Sequence, residues 1–258
     1  MLPEIHIFGL DLQTFGICFA LGFIAAGAVI DKRLKELGQP QEYATQIVFA
    51  ALIGGLVGAR LYWIFDNWDE AEGDLIGSIF SGSGLTWYGG AIGGALAVLG
   101  YSWWRGWFKP GGLRLQLVDL CAVPLALGYA IGRIGCQLSG DGDYGKVWDG
   151  PWAMGYPDGK VPTAPGETVH PTPIYETVLM GLLAWGLWQL RDTFRPGILF
   201  ALYLIGAGVE RFLVEFLRRN PDVALGLGTA QFQSLAMIAG GVIWIVVAAR
   251  RGPLRRAD

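Results

Sequence analysis

The sequence is poor in charged residues and in the residue types that commonly build metal centres. Only 16% of its 258 residues are charged, where a soluble domain averages roughly 25%. Its three cysteines stand far apart without CxxC spacing, which argues against a metal site or a disulfide framework. There are only two histidines and no GxxxxGK[ST] segment, so nothing indicates nucleotide binding, and we expect no nucleic-acid partner.

The N-terminal residues also lack the features of a secretory leader. The N-terminus has neither a basic region nor a small-residue cleavage site, so we expect it to stay in the mature protein as an interfacial segment. What the chain has instead is 53% hydrophobic residues, eleven tryptophans and forty glycines. Tryptophan gathers at membrane interfaces, and glycine lets transmembrane helices approach closely. The composition therefore predicts an integral membrane protein.

Seven apolar stretches are long enough to be drawn as membrane spans, since about 20 residues cross a bilayer core. They are residues 12–30, 44–65, 85–104, 115–133, 173–190, 197–217 and 229–249. The sequence predicts an all-α fold of seven transmembrane helices within a single domain, residues 1–258.

The loops predict the orientation, because lysine and arginine accumulate on the cytoplasmic side. Twelve basic residues fall on one side: Lys32, Arg33, Lys35, Arg105, Lys109, Arg114, Arg191, Arg195, Arg250, Arg251, Arg255 and Arg256. This pattern places the N-terminus outside and the C-terminus in the cytoplasm. Loop 134–172, between the fourth and fifth helices, has five acids against two lysines, and we expect it to form a small external lobe. Its prolines, glycines and aspartates predict turns and irregular structure.

Four of the predicted helices bring ionised groups to the same outer depth: Arg60, Arg133, Glu176 and Arg211. Ionisable residues at bilayer depth are expensive and usually face a bundle interior, a partner charge or a water-filled cavity. The simpler alternative is a set of structural salt bridges, or side chains that snorkel to the interface. A binding site is favoured because Glu215 shares a helix face with Arg211 at i, i+4, and because glycines flank Arg133 in "GRIG".

The ligand predicted from these residues is an anionic lipid. Arginine forks fit phosphate better than the point charge of lysine does, and the predicted cavity opens to the outer leaflet. A transporter would more often show broken hydrophobic segments in two matching halves, and none pair up here. The residues alone thus predict a polytopic protein that holds a phospholipid head group near its external face.

Six segments in order give the chain a resemblance to the bacterial prolipoprotein diacylglyceryl transferases. They are "GLVGARLYWIF" at 55–65, "GLTWYGGAIGG" at 84–94, "DLCAVPLALGYAIGRIG" at 119–135, "HPTPIYE" at 170–176, "ERFLVEFLRR" at 210–219 and "GTAQFQSLAMI" at 228–238. The resemblance implies a seven-span fold in the bacterial cytoplasmic (inner) membrane. It also implies transfer of the diacylglyceryl group of phosphatidylglycerol to the cysteine of a prolipoprotein signal peptide, as a thioether, with release of glycerol phosphate. It implies neither a metal nor a soluble cofactor.

The residues and the resemblance together predict a set of site residues. Catalytic roles fall on Arg133, Arg211, Glu215 and Tyr88. Substrate-binding roles fall on Arg60, Gly89, Gly90, Cys136, Asp141, Gly145, His170, Tyr175 and Glu176. Arginines aimed at the phosphate would stabilise the leaving group as its charge develops. A thiol with a pKa of about 8.5 also needs a base or a positive field near the sulfur.

Several positions depart from the family pattern, and two of them are predicted site residues. "YGG" stands where the family has "HGG", so Tyr88 occupies the place of a histidine usually proposed as the base, and Cys136 replaces the asparagine after "GRIG". The stretch "GDGDYG" also carries one extra residue. The base is therefore left open between Glu215, Asp141 and a displaced group, and a paralogue acting on another lipid, or a lipid-binding protein without turnover, stays an alternative. Cys136 either replaces a small neutral residue or itself takes up a lipid fragment in a ping-pong transfer.

Overall fold

The computed structural model describes residues 1–7, 10–73, 77 and 86–256. Over these ranges the chain is mainly helical, with seven helices of 18 to 25 residues. The helices are α1 Thr14–Glu36, α2 Glu42–Asp66, the short α3 Trp68–Ala71, α4 Trp87–Trp104, α5 Gln116–Ser139, α6 Thr172–Leu190, α7 Ile198–Glu215 and α8 Thr229–Arg250. An antiparallel hairpin precedes them, formed by β1 Glu4–Ile7 and β2 Leu10–Gln13.

Each predicted apolar span falls on one of the seven long helices, which confirms the helical class. Four of them, α1, α2, α5 and α8, are long and apolar enough to cross a membrane. The predicted start of the third span, residue 85, lies outside the described residues. The prediction of a single domain stays a prediction.

Helix α5 ends later than the sequence predicts. It continues for six residues beyond Arg133 to Ser139 and is closed by Gly140, whose φ of 58° is left-handed. Glycine adopts that conformation without the steric cost a side chain would bring, and it commonly ends helices. Cys136 therefore lies in the last turns of a helix, and the irregular part of the lobe begins at Gly140.

Two compact units make up the chain: residues 1–29 with 115–258, and residues 30–114. In the second unit, α2 and α4 cross at glycines. A Cβ added at Gly93 would lie 2.3 Å from the carbonyl oxygen of Gly54 and 2.7 Å from the Cα of Gly58. Small residues allow this backbone approach, which is a common way for membrane helices to pack.

The first unit contains α5 to α8, the hairpin and the lobe. Asp119 of α5 caps the start of α7, because its carboxylate accepts hydrogen bonds from the backbone N–H groups of Gly197 at 2.7 Å and Phe200 at 2.9 Å. Such a cap satisfies donors that the first helical turn leaves unpaired. A core of mostly small side chains from α5, α6 and α7 lies between these helices. Asp119 thus fixes α7 against α5 at the end opposite to Arg133.

The lobe between α5 and α6 has the irregular structure that its turn residues predict. Residues 140–171 form turns and isolated bridges without a helix. A small core holds them together, in which the rings of Tyr144 and Tyr156 stack at 4.7 Å beside the buried Val169. A bridge between Gly145 and Arg218 joins the lobe to the segment after α7.

The glycine crossing predicts a position-dependent effect of added methyl groups. We expect Gly93→Ala to destabilise the protein by about 1–3 kcal/mol, because its methyl group meets backbone atoms that have no room to move. Gly100→Ala, on the same helix, meets nothing within 4 Å and is expected to be neutral or to gain up to about 1 kcal/mol from helix propensity. Thermal unfolding in detergent micelles measures both variants, and equal behaviour would contradict the close crossing.

Candidate functional site

Arg133 and Tyr129 form one wall of the site, because residues four apart lie on the same face of a helix. The hydroxyl of Tyr129 accepts a hydrogen bond from Nη2 of Arg133 at 3.0 Å and donates one to Oε1 of Glu176 at 2.9 Å. The Arg133 guanidinium also lies 4.9 Å from the centre of the Tyr129 ring. Tyr129 therefore orients the arginine on the inner side of α5.

Glu176, near the start of α6, is fully buried and is shared by three arginines. Its carboxylate oxygens lie 3.1 Å from Nε of Arg133, 3.0 Å from Nη1 of Arg211 and 3.5 Å from Nη1 of Arg218. A carboxylate without water is tolerated only with partner charges and hydrogen bonds. Glu176 is thus the centre on which arginines from α5, α7 and the segment after α7 converge.

The end of α7 supplies a second buried acid. Glu215 lies one turn after Arg211 and contacts its Nη2 at 2.9 Å. Helix α7 ends at Glu215, and the turn that follows brings Arg218 back so that its Nε lies 3.8 Å from the same carboxylate. The side chain of Asn220 donates a further hydrogen bond to Glu215 at 2.6 Å.

Asp143 closes the site from the lobe. Its two carboxylate oxygens contact two different guanidinium groups, Oδ2 with Nη1 of Arg133 and Oδ1 with Nη2 of Arg218. Burial raises the pKa of the Asp143 carboxyl, but Arg133 and Arg218 outweigh burial and hold that pKa below its ordinary value. Asp143 is therefore held as an anion.

We call the six side chains that meet here the ionic cage: Arg133, Arg211, Arg218, Glu176, Glu215 and Asp143. Three positive and three negative groups make the cage neutral. Its helical members come from the C-terminal ends of α5 and α7 and the N-terminal end of α6, so the cage lies at one end of this helix group. The acids hold the guanidinium groups in fixed orientations, and guanidinium groups bind phosphate well because they can donate two parallel hydrogen bonds.

Asp141 and Cys136 lie beside the cage. Asp141 accepts a hydrogen bond from the backbone N–H of Asp143 at 3.3 Å, and burial, followed by the charge of Asp143, raises the pKa of Asp141. The buried Cys136 has its sulfur 3.7 Å from Nη1 of Arg133. Potential ligand atoms of Cys136, Asp141 and Asp143 lie within 4.8 Å of one another, but two guanidinium groups already contact Asp143, which disfavours a cation there.

His170 and Tyr175 form an aromatic cluster of the lobe with two tryptophans. The His170 ring stacks on Trp148 at 4.3 Å, and its Nδ1 lies 3.3 Å from the hydroxyl of Tyr175, which accepts a hydrogen bond from Trp152 at 2.7 Å. Burial lowers the pKa of His170, which favours the neutral ring. The described contacts of His170 and Tyr175 are therefore with this cluster and the lobe, and a substrate role for the pair stays a prediction.

Gly145 has a structural reason to be glycine. Its backbone N–H donates to the carbonyl oxygen of His170 at 2.8 Å, and an added Cβ would lie 2.5 Å from the carbonyl oxygen of Leu217. Any side chain would push the lobe away from the segment that carries Arg218. A substrate-binding role for Gly145 stays a prediction.

The other predicted site residues belong to the second unit: Arg60, Tyr88, Gly89 and Gly90. Arg60 is buried on α2 with its guanidinium 4.5 Å from the centre of the Trp63 ring. Tyr88 pairs with Tyr62, ring centres 6.5 Å apart, and an added Cβ at Gly89 would lie 2.3 Å from the carbonyl oxygen of Gly58. Participation of these residues in the same site as Arg133 stays a prediction.

Sequence reasoning missed Tyr129, Arg218 and Asp143 as site residues. Tyr129 could have been predicted, because it precedes Arg133 by one helical turn and therefore lies on the same helix face. Glu210 is a further buried acid, next to Arg211 on α7, and its Oε1 has no hydrogen-bond partner in the described part of the chain.

Known proteins resemble this chain along most of its length. Residues 4–247 match the family described as prolipoprotein diacylglyceryl transferase. A protein of Clostridium tetani named phosphatidylglycerol–prolipoprotein diacylglyceryl transferase is 36% identical to this chain over 248 residues, which cover 92% of this chain and 93% of that protein. A protein of Vibrio vulnificus with the same name is 31% identical over 256 residues, which cover 94% of this chain and 89% of that protein. A third relative, from Clostridium perfringens, has the same name with the number 2 added. It is 32% identical over 244 residues, which cover 92% of this chain and 91% of that protein.

The fold and the cage define a helical protein with four helices long and apolar enough to cross a membrane and a buried ionic site at one end of a helix group. Because the family match covers residues 4–247, nearly the whole chain, it identifies the family to which the protein belongs. The chain belongs to the prolipoprotein diacylglyceryl transferase family, which confirms the resemblance in its six segments.

The cage predicts that Glu176 is a strong determinant of stability. Glu176→Ala leaves three guanidinium groups with two acids in a buried site, and we expect a loss of about 3–5 kcal/mol. Glu167→Gln is a control, because Glu167 also pairs with an arginine, Arg219 at 2.8 Å, but at the surface of the lobe. We expect the control to change thermal unfolding in detergent far less, and equal losses would contradict the central role of Glu176.

Proposed function

We propose that this protein transfers the diacylglyceryl group of phosphatidylglycerol to the cysteine thiol of a prolipoprotein signal peptide. The observation that carries the proposal is the arginine cluster held around Glu176, in a chain of this family. Relatives with matching length bear the name of this activity. A site that positions guanidinium forks at one end of a helix group suits the head group of an anionic lipid.

The proposed placement is a seven-span fold in the bacterial cytoplasmic membrane, with the N-terminus outside. The twelve basic residues of one face support the orientation, by the preference of lysine and arginine for the cytoplasmic side. In that orientation the C-terminal end of α5, with Arg133, faces outward. The cage and the lobe then lie at the outer leaflet, where lipid and signal peptide enter laterally from the membrane.

In the proposed reaction the thiol loses its proton, and the sulfur attacks the glycerol carbon that bears the phosphodiester. A carbon–sulfur bond forms while the carbon–oxygen bond breaks, and glycerol phosphate leaves with the bonding electron pair. Arg133 and Arg211 would stabilise the negative charge as it develops on the leaving phosphate. Glu176 and Glu215 would hold these arginines in place, so that little reorganisation is needed.

The proton acceptor has several candidates. Asp141 has a raised pKa, which makes it a better base than an ordinary aspartate near neutral pH. Glu215 is held by arginines and an asparagine, so its charge is already stabilised. Tyr88 would contribute a hydrogen bond to the lipid.

The proposal predicts a specific covalent product. Protein reconstituted with phosphatidylglycerol and a signal peptide containing the acceptor cysteine should yield a peptide heavier by one diacylglyceryl group, detected by mass spectrometry. Arg211→Lys keeps the charge but loses the fork, and we expect it to lower kcat/KM by about 10²-fold or more, as loss of a donor to a developing oxyanion does. Tight lipid binding without product, for every anionic lipid tried, would favour the alternative of a non-catalytic lipid-binding protein.

The predicted catalytic role of Tyr88 can be tested by removing its hydroxyl group. If Tyr88 takes part in the transfer, Tyr88→Phe should lower kcat by about tenfold or more, in the range of a lost catalytic proton contact. Lipid affinity should stay nearly unchanged, because one neutral hydroxyl contributes little beside the arginines. The measurement is single-turnover transfer together with lipid binding, and an unchanged rate would remove Tyr88 from the site.

A further inference from the structure

Asp143 differs from the other two acids of the ionic cage. The side chains of Glu176 and Glu215 are 0% and 4% exposed and belong to helices, whereas the side chain of Asp143 is 33% exposed and belongs to the lobe. Asp143 is therefore the one acid of the three that reaches water by a rotation of its own side chain.

The charge of the cage leaves no room for a further anion. Three guanidinium groups are balanced by three carboxylates, so an added phosphodiester would give the site a net negative charge where water is scarce. An uncompensated charge in such surroundings is costly. A lipid phosphate must therefore replace a carboxylate, and Glu176 and Glu215 are buried.

The contacts of Asp143 imitate those of a phosphate. Its two oxygens lie on two different guanidinium groups, those of Arg133 and Arg218. Two oxygens of a phosphodiester would pair with arginine forks in the same way. Because the arginines keep Asp143 ionised, it competes for them as an anion of the same charge.

Hydrogen bonds on one side of Asp143 and left-handed glycines on the other hold its backbone in place. Thr172 of α6 donates a hydrogen bond to the carbonyl oxygen of Asp143 at 2.7 Å, and Gly145 is bound to His170. On the other side lie Gly140 and Gly142, with φ of 58° and 92°, where a side chain would be strained. The chain thus turns back on itself to present Asp143 to the cage.

We propose that Asp143 occupies the position of the lipid phosphate in the substrate-free protein and yields it to an anionic head group. This inference rests on the proposed function. It makes Asp143 a specificity-determining residue, because only a lipid with a net negative charge repays the separation of Asp143 from its arginines. Phosphatidylcholine carries its own cation beside the phosphate and brings no net charge to the exchange.

Asp143→Asn tests the exchange, since it keeps the shape of the side chain and removes its charge. We expect KM and Kd for phosphatidylglycerol to fall at least tenfold, with kcat changed less than threefold and with weaker discrimination against phosphatidylcholine. Asp158→Asn is the matched control, because Asp158 is an exposed aspartate of the same lobe, and it should leave both constants unchanged. Binding is measured in phosphatidylcholine nanodiscs titrated with phosphatidylglycerol.

Two results would overturn the exchange. One is an unchanged or raised KM in Asp143→Asn, and the other is a collapse of kcat at constant KM, which would make Asp143 a proton acceptor instead. If wild-type protein transfers lipid but the variant binds phosphatidylglycerol no more tightly, the exchange fails while the proposed function stands. If wild-type protein forms no product, the proposed function fails, and the change in Kd still decides the exchange.

A measurement on the wild-type chain avoids dependence on the folding of the variant. Adding phosphatidylglycerol should increase carbodiimide-dependent labelling of the Asp143 carboxylate, measured by mass spectrometry, because that carboxylate leaves its arginines and faces water, and phosphatidylcholine should not. Equal labelling with both lipids would contradict the exchange.

Discussion

The structure of this site depends on one buried carboxylate. Glu176 is fully buried and holds arginines that come from α5, from α7 and from the segment beyond α7. Like charges so close would repel in a medium of low dielectric constant, so the arginines converge only because an acid lies between them. Helix order, the turn after α7 and the docking of the lobe all serve this convergence.

Much of the helical framework was accessible to sequence reasoning. Long apolar runs leave little freedom in a membrane, because backbone groups must be satisfied within the segment, and the seven predicted spans coincide with seven helices. The prediction that Arg133, Glu176 and Arg211 share one depth followed from span order, and these three side chains do meet. Glu176, predicted at the depth of these arginines, is the acid at their centre.

The sequence did not identify the residues whose positions depend on turns. In the sequence, Arg218 and Arg219 are simply a basic pair after a helix. Only the turn at residues 215–218 brings Arg218 back to Glu176 and Glu215. Asp143 is one of two aspartates in "GDGDYG", and sequence reasoning chose Asp141. Asp143 contacts the arginines in a turn that contains left-handed glycines at 140 and 142, and such backbone angles leave no periodic signal in the chain.

A cage of this kind is an inefficient way to stabilise a helix group. Buried ion pairs often contribute less than well-packed apolar residues of the same volume, because desolvation offsets their attraction. The core formed by α5, α6 and α7 already consists of small apolar side chains. The cage instead consists of three arginines and three acids, so its net charge is zero although every member is ionised. One of the acids, Asp143, is partly exposed to solvent. Such a site can exchange one anion for another without gaining net charge, which suits a lipid whose phosphate must arrive, react and leave.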